Sequence, residues 1–175
     1  LSPSSAASDV YKRQEIQVIL SMLRILDNPL QDIPMAAVLA SPIVGMDDEE
    51  LAQIRSAFKG VSFAQAALSA MAGEDGYEDE KLKAFALVFE RLRGAVADTP
   101  IHELLYMMVD ETGFYRYASA MPAGKRRRQN IDMLIEMAAA YEKTSYKGLF
   151  HFVRYIDIQQ KYEIDYGEAD TRRGE

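Results

Sequence analysis

The feature that most constrains this chain is a helical segment that is apolar on two sides and is followed by a series of helix stops, all within residues 15–51. One apolar stripe comprises Ile16, Ile19, Leu20, Leu23 and Leu26, and a second comprises Val18, Met22 and Ile25. Two apolar faces predict a helix that is covered on both sides, which an isolated surface helix would not need. Asn28-Pro29 ends this helix, and Ser41-Pro42 ends a second one in which Asp32 is a candidate cap. The segment therefore predicts a join between subdomains.

Helical periodicity continues along the rest of the chain. Asp47 with Glu50 predicts a capped helix reaching about Phe58, and Ser62 with Gln65 predicts the next. The clearest later stripes are Leu82, Phe85, Phe89, Leu92 and Val96; Ile101, Leu104, Leu105 and Met108; Ile131, Leu134, Ile135, Ala138 and Tyr141; and Tyr146, Leu149, Phe150, Val153 and Ile156. Thr99-Pro100 should cap and open the second of these helices. Neither an alternation of period two nor an internal repeat is present, so we expect an all-α multi-helix bundle.

Composition limits the possible functions. Of the 175 residues, 49% are hydrophobic and 27% are charged, which is typical of a soluble globular domain. No apolar run approaches the roughly 20 residues that a membrane span needs, so we expect no membrane partner and a cytoplasmic location. The absence of cysteine excludes disulfides, thiolate metal sites and a cysteine nucleophile. With a net charge of -7, any contact with nucleic acid must be local.

The two ends of the chain differ from its body. Residues 1–14, LSPSSAASDVYKRQ, are small and polar without periodicity, and they resemble translated sequencing-adaptor sequence or an artificial leader. We expect them to be non-native or disordered, with the native sequence beginning near Glu15. Residues 15–166 are predicted to form the helical domain. Residues 167–175 are polar and aperiodic, and they predict an exit segment.

Two blocks of sequence carry a family resemblance. The first has the order E-x-x-x-x-L-x-x-L-R-I-L-D-N-P-x-Q-D-I-P-x-A-A-V-L-x-S-P-I-x-G from Glu15 to Gly45. The second, from Asp110 to Asp157, includes the pattern P-x-G followed by R-x-x-N-I. Both resemble, in the correct order, the AddA subunit of bacterial AddAB helicase-nucleases, which are UvrD/RecB-like superfamily-1 helicases. The matching region there is the helical insertion called subdomain 2B, and residues 55–99 carry no specific resemblance.

The resemblance implies a role within a larger protein. An AddA subunit couples ATP hydrolysis, with Mg²⁺, to unwinding at DNA double-strand breaks, works in a heterodimer with an AddB partner, and cuts DNA with a separate nuclease domain. Its ATP residues would lie outside this segment, and the chain itself lacks the phosphate-binding pattern G-x-x-x-x-G-K-[ST], because Arg126 follows Gly124-Lys125. We therefore expect no catalytic residue, cofactor site or metal site here.

Other candidate chemistry has structural alternatives. His102 and His151 have no partner at metal-ligand spacing, so packing is the favoured interpretation of both. The acidic clusters at 47–50 and 78–80 stand at helix starts, where carboxylates are favoured anyway. The adjacent pair Asp110 and Glu111 would point about 100° apart on a helix and would not converge on one water.

The dense basic cluster Lys125, Arg126, Arg127 and Arg128 is the candidate DNA-binding site. It stands at the start of a helix, where the helix dipole disfavours positive charge, so folding alone does not account for it. Contact with a DNA backbone is the functional interpretation, and a solvated turn is the more general alternative. The aromatic series Tyr146, Phe150, Phe152 and Tyr155 could stack on bases, but core packing is favoured.

Two functions stay open at this point. The leading hypothesis is a non-catalytic 2B-like accessory subdomain that supplies scaffold and DNA contact. The alternative is a free-standing α-helical module that binds a protein partner through exposed apolar residues. An autonomous metal-dependent hydrolase is disfavoured, because the chain offers no ligand constellation.

Overall fold

The computed structural model describes residues 10–144 and 148–173, with the backbone alone described for residues 163–171. Its helices are α1 (Gln14–Asp27), α2 (Asp32–Ala40), α3 (Asp48–Ala57), α4 (Phe63–Met71), α5 (Glu80–Ala95), α6 (Ile101–Glu111), α7 (Phe114–Ala120), α8 (Gly124–Tyr141) and α9 (Leu149–Arg173), with a 3₁₀ turn at Glu74–Gly76. The described part contains no strand. The predicted all-α bundle is therefore confirmed.

Helix α1 lies at the centre of the bundle and contacts α2, α5, α8 and α9. Residues from both of its apolar stripes are buried, with Ile16, Met22, Leu23 and Ile25 at 0% exposure. Burying a side chain of this size contributes about 1.5–3 kcal/mol relative to leaving it in water. The prediction that α1 is covered on two sides is thus confirmed, because the neighbouring helices pack against both of its apolar faces.

The predicted helix stops are also in place. The side chain of Asn28 accepts a hydrogen bond from the Leu30 N–H (3.0 Å), and Ser41 Oγ donates to the Val38 carbonyl (2.6 Å). The prediction that Asp32 caps its own helix is wrong. Its carboxylate instead accepts the Ala64 N–H at 2.9 Å, in the first turn of α4. Asp32 therefore links α2 to α4 and does not cap its own helix.

Local caps hold the middle helices. Asp47 and Glu50 form the predicted reciprocal capping box at the start of α3, with Glu50 N donating to Asp47 Oδ1 at 2.8 Å. Ser62 accepts from the Gln65 N–H (3.2 Å) and Asp79 accepts from the Leu82 N–H (3.0 Å), at the starts of α4 and α5. Each cap satisfies one of the backbone N–H groups that a helix start leaves unpaired.

Two long-range contacts lie at helix ends, and one of them replaces a predicted local cap. Helix α6 begins at Ile101 after Pro100, and its His102 N–H donates to Glu142 Oε1 at 2.7 Å, so the cap comes from the far end of α8 rather than from Thr99. The exposed Arg93 of α5 donates to the Leu26 carbonyl at the end of α1 (2.7 Å). Both contacts satisfy helix-end groups across large sequence separations.

The predicted inner stripe of α9 is partly wrong. Phe150 is 54% exposed, whereas Leu149, Phe152 and Ile156 are buried. The buried residues are spaced three and four apart, and Phe150 falls about 100° away from Leu149 on the helix. Tyr146, which the same prediction included, lies outside the described residues.

The chain ends are described only in part. Residues 1–9 of the predicted leader and residues 174–175 of the predicted exit segment lie outside the described residues. Val10 and Tyr11 are buried in the core, and the Gln17 amide donates to the Tyr11 carbonyl. The backbone of residues 167–173 continues α9. Within the described residues, we find no helix with the length and apolar character needed to cross a bilayer.

Candidate nucleic-acid interface

A tight connection between α7 and α8 positions the basic cluster. Ala123, just before α8, has a left-handed backbone with φ of 58°, and Gly124 opens the helix against the end of α7. A Cβ atom at position 124 would collide with the carbonyl oxygen of Ser119. Glycine is therefore required by this close approach, and the four basic residues follow directly in the first turns of α8.

One of the four basic residues points inward. Arg127 Nη1 donates to Glu15 Oε2 at 3.0 Å, and its Nε donates to the Pro122 carbonyl at 2.9 Å. Arg127 lies four, seven and eleven residues before the buried residues Ile131, Leu134 and Ala138, so it belongs to the inner stripe of α8. That spacing is the sequence signal that separates Arg127 from its three neighbours.

Glu15 is the buried partner of this contact. It is 4% exposed at the start of α1, and its Oε1 also accepts the Asn130 side-chain amide at 2.8 Å. Glu15 opens the first resemblance block, whereas Arg127 and Asn130 belong to the R-x-x-N pattern of the second. Because a buried carboxylate is costly unless it is paired and hydrogen-bonded, these three residues depend on one another. We call Glu15, Arg127 and Asn130 the joint.

The other three basic residues, Lys125, Arg126 and Arg128, are exposed. Within residues 10–144, 148–162 and 172–173, whose side chains the structure describes, none of them makes an ion pair. On a helix they are separated from the inward direction of Arg127 by about 100° or more. A cleft of about 280 Å³ beside them is lined in part by Lys12 and Arg13 of the predicted leader, together with Arg126. The cluster thus divides into one structural cation and three outward-facing ones.

Several of the other candidate residues make structural contacts. His102 Nδ1 lies 3.1 Å from Glu142 Oε1, and Glu111 lies 3.3 Å from Arg91. Among the described residues, no group of three or more histidine and acidic side chains is arranged to hold a metal ion. In the acidic clusters, Asp47, Glu50 and Asp79 are helix caps, as the structural alternative predicted.

The aromatic series on α9 is split between core and surface. Phe152 is 1% exposed and packs against Tyr141 with ring centres 5.3 Å apart. Tyr155 also packs on Tyr141, at 4.9 Å, although it is 38% exposed. Phe150 lies on the surface beneath the Arg154 guanidinium, 5.6 Å from its ring centre. The favoured core interpretation therefore holds for Phe152 but not for Phe150.

A second cleft, which the sequence did not predict, lies between α6, α7 and α8. It measures about 340 Å³ and is lined by Tyr106, Val109, Asp110, Tyr115, Arg116, Asp132 and Ile135. The Tyr115 hydroxyl donates to Asp132 Oδ1 at 3.1 Å. Burial raises the pKa of Tyr115, and the hydrogen bond to Asp132 raises it further, because both favour the neutral phenol that donates this bond.

Comparison with known proteins identifies relatives along nearly the whole chain. No protein-family model matches it. It is 41% identical over 165 residues to the AddA-type protein of the ATP-dependent helicase/nuclease from Anoxybacillus flavithermus, an alignment that covers 93% of this chain and 14% of that protein. The corresponding proteins from Bacillus velezensis and Enterococcus faecalis are 37% and 39% identical over 168 and 167 residues.

The matched region is a small part of each relative. The chain spans about 14% of the length of the Anoxybacillus flavithermus and Bacillus velezensis proteins and 13% of the Enterococcus faecalis protein. The alignments nevertheless cover 93% or more of this chain, including the middle that carried no specific resemblance.

Proposed function

Because this chain is similar over nearly its whole length to one segment of AddA-type ATP-dependent helicase/nuclease proteins, we propose that it is the helical accessory subdomain of such a protein. In this proposal the subdomain is 2B-like, carries no reaction of its own, and supplies scaffold and DNA contact. The whole protein would use ATP and Mg²⁺ bound outside this segment, work beside an AddB-type partner in the cytoplasm, and act in double-strand break repair and recombination.

The observation that carries the proposed DNA contact is the division of the basic cluster. If the four cations only satisfied the fold, their structural partners would account for them, as Glu15 does for Arg127. Lys125, Arg126 and Arg128 have no such ion pair among the described residues, and they stand at a helix start where the dipole disfavours them. Phosphate groups would compensate both effects without reading sequence.

Salt-dependent DNA binding tests this proposal. We expect the full chain to bind a labelled forked duplex in fluorescence anisotropy at about 50 mM salt. The triple variant Lys125→Ala/Arg126→Ala/Arg128→Ala should lose affinity by about tenfold or more, and the slope of log K against log salt should fall by about 0.9 for each phosphate contact removed.

Two control variants match this test. Lys59→Ala/Lys83→Ala/Lys143→Ala changes the net charge equally at exposed positions elsewhere and should leave most of the binding intact. Lys12→Ala/Arg13→Ala removes the leader cations, which should contribute little if the outer three residues form the site. Equal losses in the two triple variants, or unchanged binding in the first, would show that the basic cluster is merely solvated.

One observation favours the alternative, a free-standing module that binds a protein partner. Ile33, which is 84% exposed, lines a cleft of about 450 Å³ between α1 and α2 together with Val18 and Ala37, and Leu30, three residues earlier, is 56% exposed. Exposed apolar surface of this kind is common at protein contacts. If the purified chain binds a protein partner, if salt does not weaken that binding and if Ile33→Asp abolishes it, the free-standing module is supported. Salt-sensitive binding of DNA supports the helicase/nuclease subdomain instead.

A further inference from the structure

The cleft between α6, α7 and α8 lies on the same face of α8 as two of the outward cations. Asp132 and Ile135, which line the cleft, follow Arg128 at four and seven residues. Lys125 precedes Arg128 by three residues and shares this face. A DNA strand whose phosphates contact Lys125 and Arg128 would therefore pass the mouth of the cleft.

The cleft walls suit a flat aromatic group. Tyr106 is 63% exposed at the cleft, so its ring is accessible, and Tyr115 is the second aromatic residue of the lining. Val109 is buried and Ile135 is half-buried, and both add apolar surface. Stacking on tyrosine is the usual way in which proteins hold unpaired bases, and it tolerates any base.

The polar groups at the cleft favour a neutral hydrogen-bond donor. Asp110 and Asp132 carry negative charge, Arg116 also lines the cleft, and the charge of Arg128 reaches Tyr115. The lining itself holds two carboxylates and one guanidinium, and Arg128, four residues before Asp132 on α8, supplies a second positive charge nearby, so the surroundings of the cleft have no net excess of one sign. The Tyr115 hydroxyl occupies part of the acceptor capacity of Asp132, since it lies 3.1 and 3.3 Å from the two oxygens, and each carboxylate oxygen can accept a further bond.

We propose that this cleft binds one unpaired nucleobase that carries an exocyclic amine, stacked on Tyr106 and hydrogen-bonded to Asp132. The inference rests on the proposed function for the presence of DNA, and it adds that the subdomain holds single-stranded DNA at a fork or an end. Carboxylates accept from the N4 amine of cytosine, whereas thymine presents an oxygen at that position and would be disfavoured. A basic side chain from a protein partner is the competing occupant, but it would add positive charge beside Arg116 and Arg128.

Pyrimidine discrimination tests the inference on the full chain. Labelled oligo-dC and oligo-dT of about 15 nucleotides are compared in fluorescence anisotropy at about pH 8, together with a blunt duplex. We expect oligo-dC to bind about fivefold more tightly than oligo-dT, because one paired carboxylate distinguishes the two bases. Tyr106→Ala should weaken oligo-dC binding by about tenfold and leave duplex binding unchanged.

Asp132→Ala separates the hydrogen bond from general electrostatics. Removing a negative charge raises affinity for both oligonucleotides, so the informative quantity is the ratio of the oligo-dC to the oligo-dT affinity, which should fall to about one. Glu136→Ala removes the same charge one turn later on α8, away from the cleft lining, and should keep the wild-type ratio. Tyr117→Ala, a partly exposed tyrosine of α7 outside the cleft, is the control for Tyr106→Ala.

The outcomes of the two proposals are distinguishable. If the triple cation variant loses DNA binding but oligo-dC and oligo-dT bind equally and Tyr106→Ala has no effect, the base site is wrong and the backbone contact stands. If the triple variant binds as well as the parent chain while the dC preference persists, the backbone contact is wrong. Tyr106-dependent binding of a short oligo-arginine peptide, without pyrimidine discrimination, would assign the cleft to a protein partner and overturn the base site. Equal thermal unfolding of each variant shows that the comparison concerns folded protein.

Discussion

The joint between α1 and α8 and the middle of the chain, α3 to α5, are held together in different ways. In the joint, Glu15 contacts Arg127 and Asn130 across sequence separations of 112 and 115 residues, and the carboxylate is buried. In the middle, the capping contacts of Asp47 with Glu50 span three residues and are exposed. The start of α3 is thus defined by a local contact, whereas the joint exists only when α1 and α8 have come together; α4 and α5 also make long-range contacts, through Ala64 and Arg93.

This difference separates specificity from stability. A buried ion pair often adds little net stability over an apolar contact, but removing one partner leaves an uncompensated buried charge. The joint therefore penalises any arrangement in which α1 and α8 are displaced from each other. The exposed contacts of the middle impose no comparable penalty, because water replaces them.

Breaking the joint should give the largest effect. Arg127→Ala leaves the Glu15 carboxylate buried with only Asn130 as a side-chain partner, so we expect a loss of about 2–4 kcal/mol in the free energy of unfolding, below the full cost of a deeply buried pair because Arg127 is partly exposed. Urea unfolding measures it. Arg126→Ala, one position earlier and exposed, should change stability by less than about 0.5 kcal/mol. Similar losses in the free energy of unfolding for the two variants would mean that the joint contributes no more to stability than an exposed residue does.

The same comparison explains what the sequence could predict. Helix existence, most helix bounds and the inner stripes follow from periodicity and local caps, as at Asp47 and Ser62. Partners that come from distant helices were missed: Asp32 binds Ala64, and Glu142 caps α6. A carboxylate near a helix start predicts a local cap from sequence alone, and only the tertiary arrangement shows which backbone N–H it reaches.

The candidate site divides along the same line. The basic cluster and its place at a helix start were predictable from composition and the preceding Pro-Ala-Gly. The inward direction of Arg127 was contained in its spacing from Ile131 and Leu134, but an arginine on an apolar stripe is interpretable only once Glu15 is known to face it. The cleft at Tyr106 and Asp132 required the packing of three helices, which no local pattern specifies.

A cap in the middle should have an intermediate effect. Asp47→Ala removes the side-chain acceptor for the Glu50 N–H at the start of α3, and we expect a loss of about 1 kcal/mol in the free energy of unfolding. Asp47→Ser, which keeps an acceptor, should restore most of it. Thermal or urea unfolding measures both, and hydrogen exchange should place the opening in α3. A loss as large as that of Arg127→Ala would remove the contrast between local and long-range contacts.

The smallest effect is expected where the middle meets the end of α1, at Asp27. Burial raises the pKa of Asp27 above its ordinary value of 3.8, and the nearby charge of Arg93 only partly opposes this. Because the folded-state pKa is the higher one, the stability present below the unfolded pKa is lost as pH rises through the folded pKa.

Asp27→Asn removes this loss, so the variant should be more stable than the parent chain at neutral pH, by less than about 0.5 kcal/mol after solvent screening. The gain in stability should vanish in acid, where the Asp27 side chain of the parent chain is protonated and as neutral as the asparagine of the variant. The hydrogen bonds from Arg93 go to the carbonyls of Leu26 and Asp27, so they survive the substitution. A destabilised variant at neutral pH would instead show that the Asp27 carboxylate and Arg93 form a net favourable link between α1 and α5.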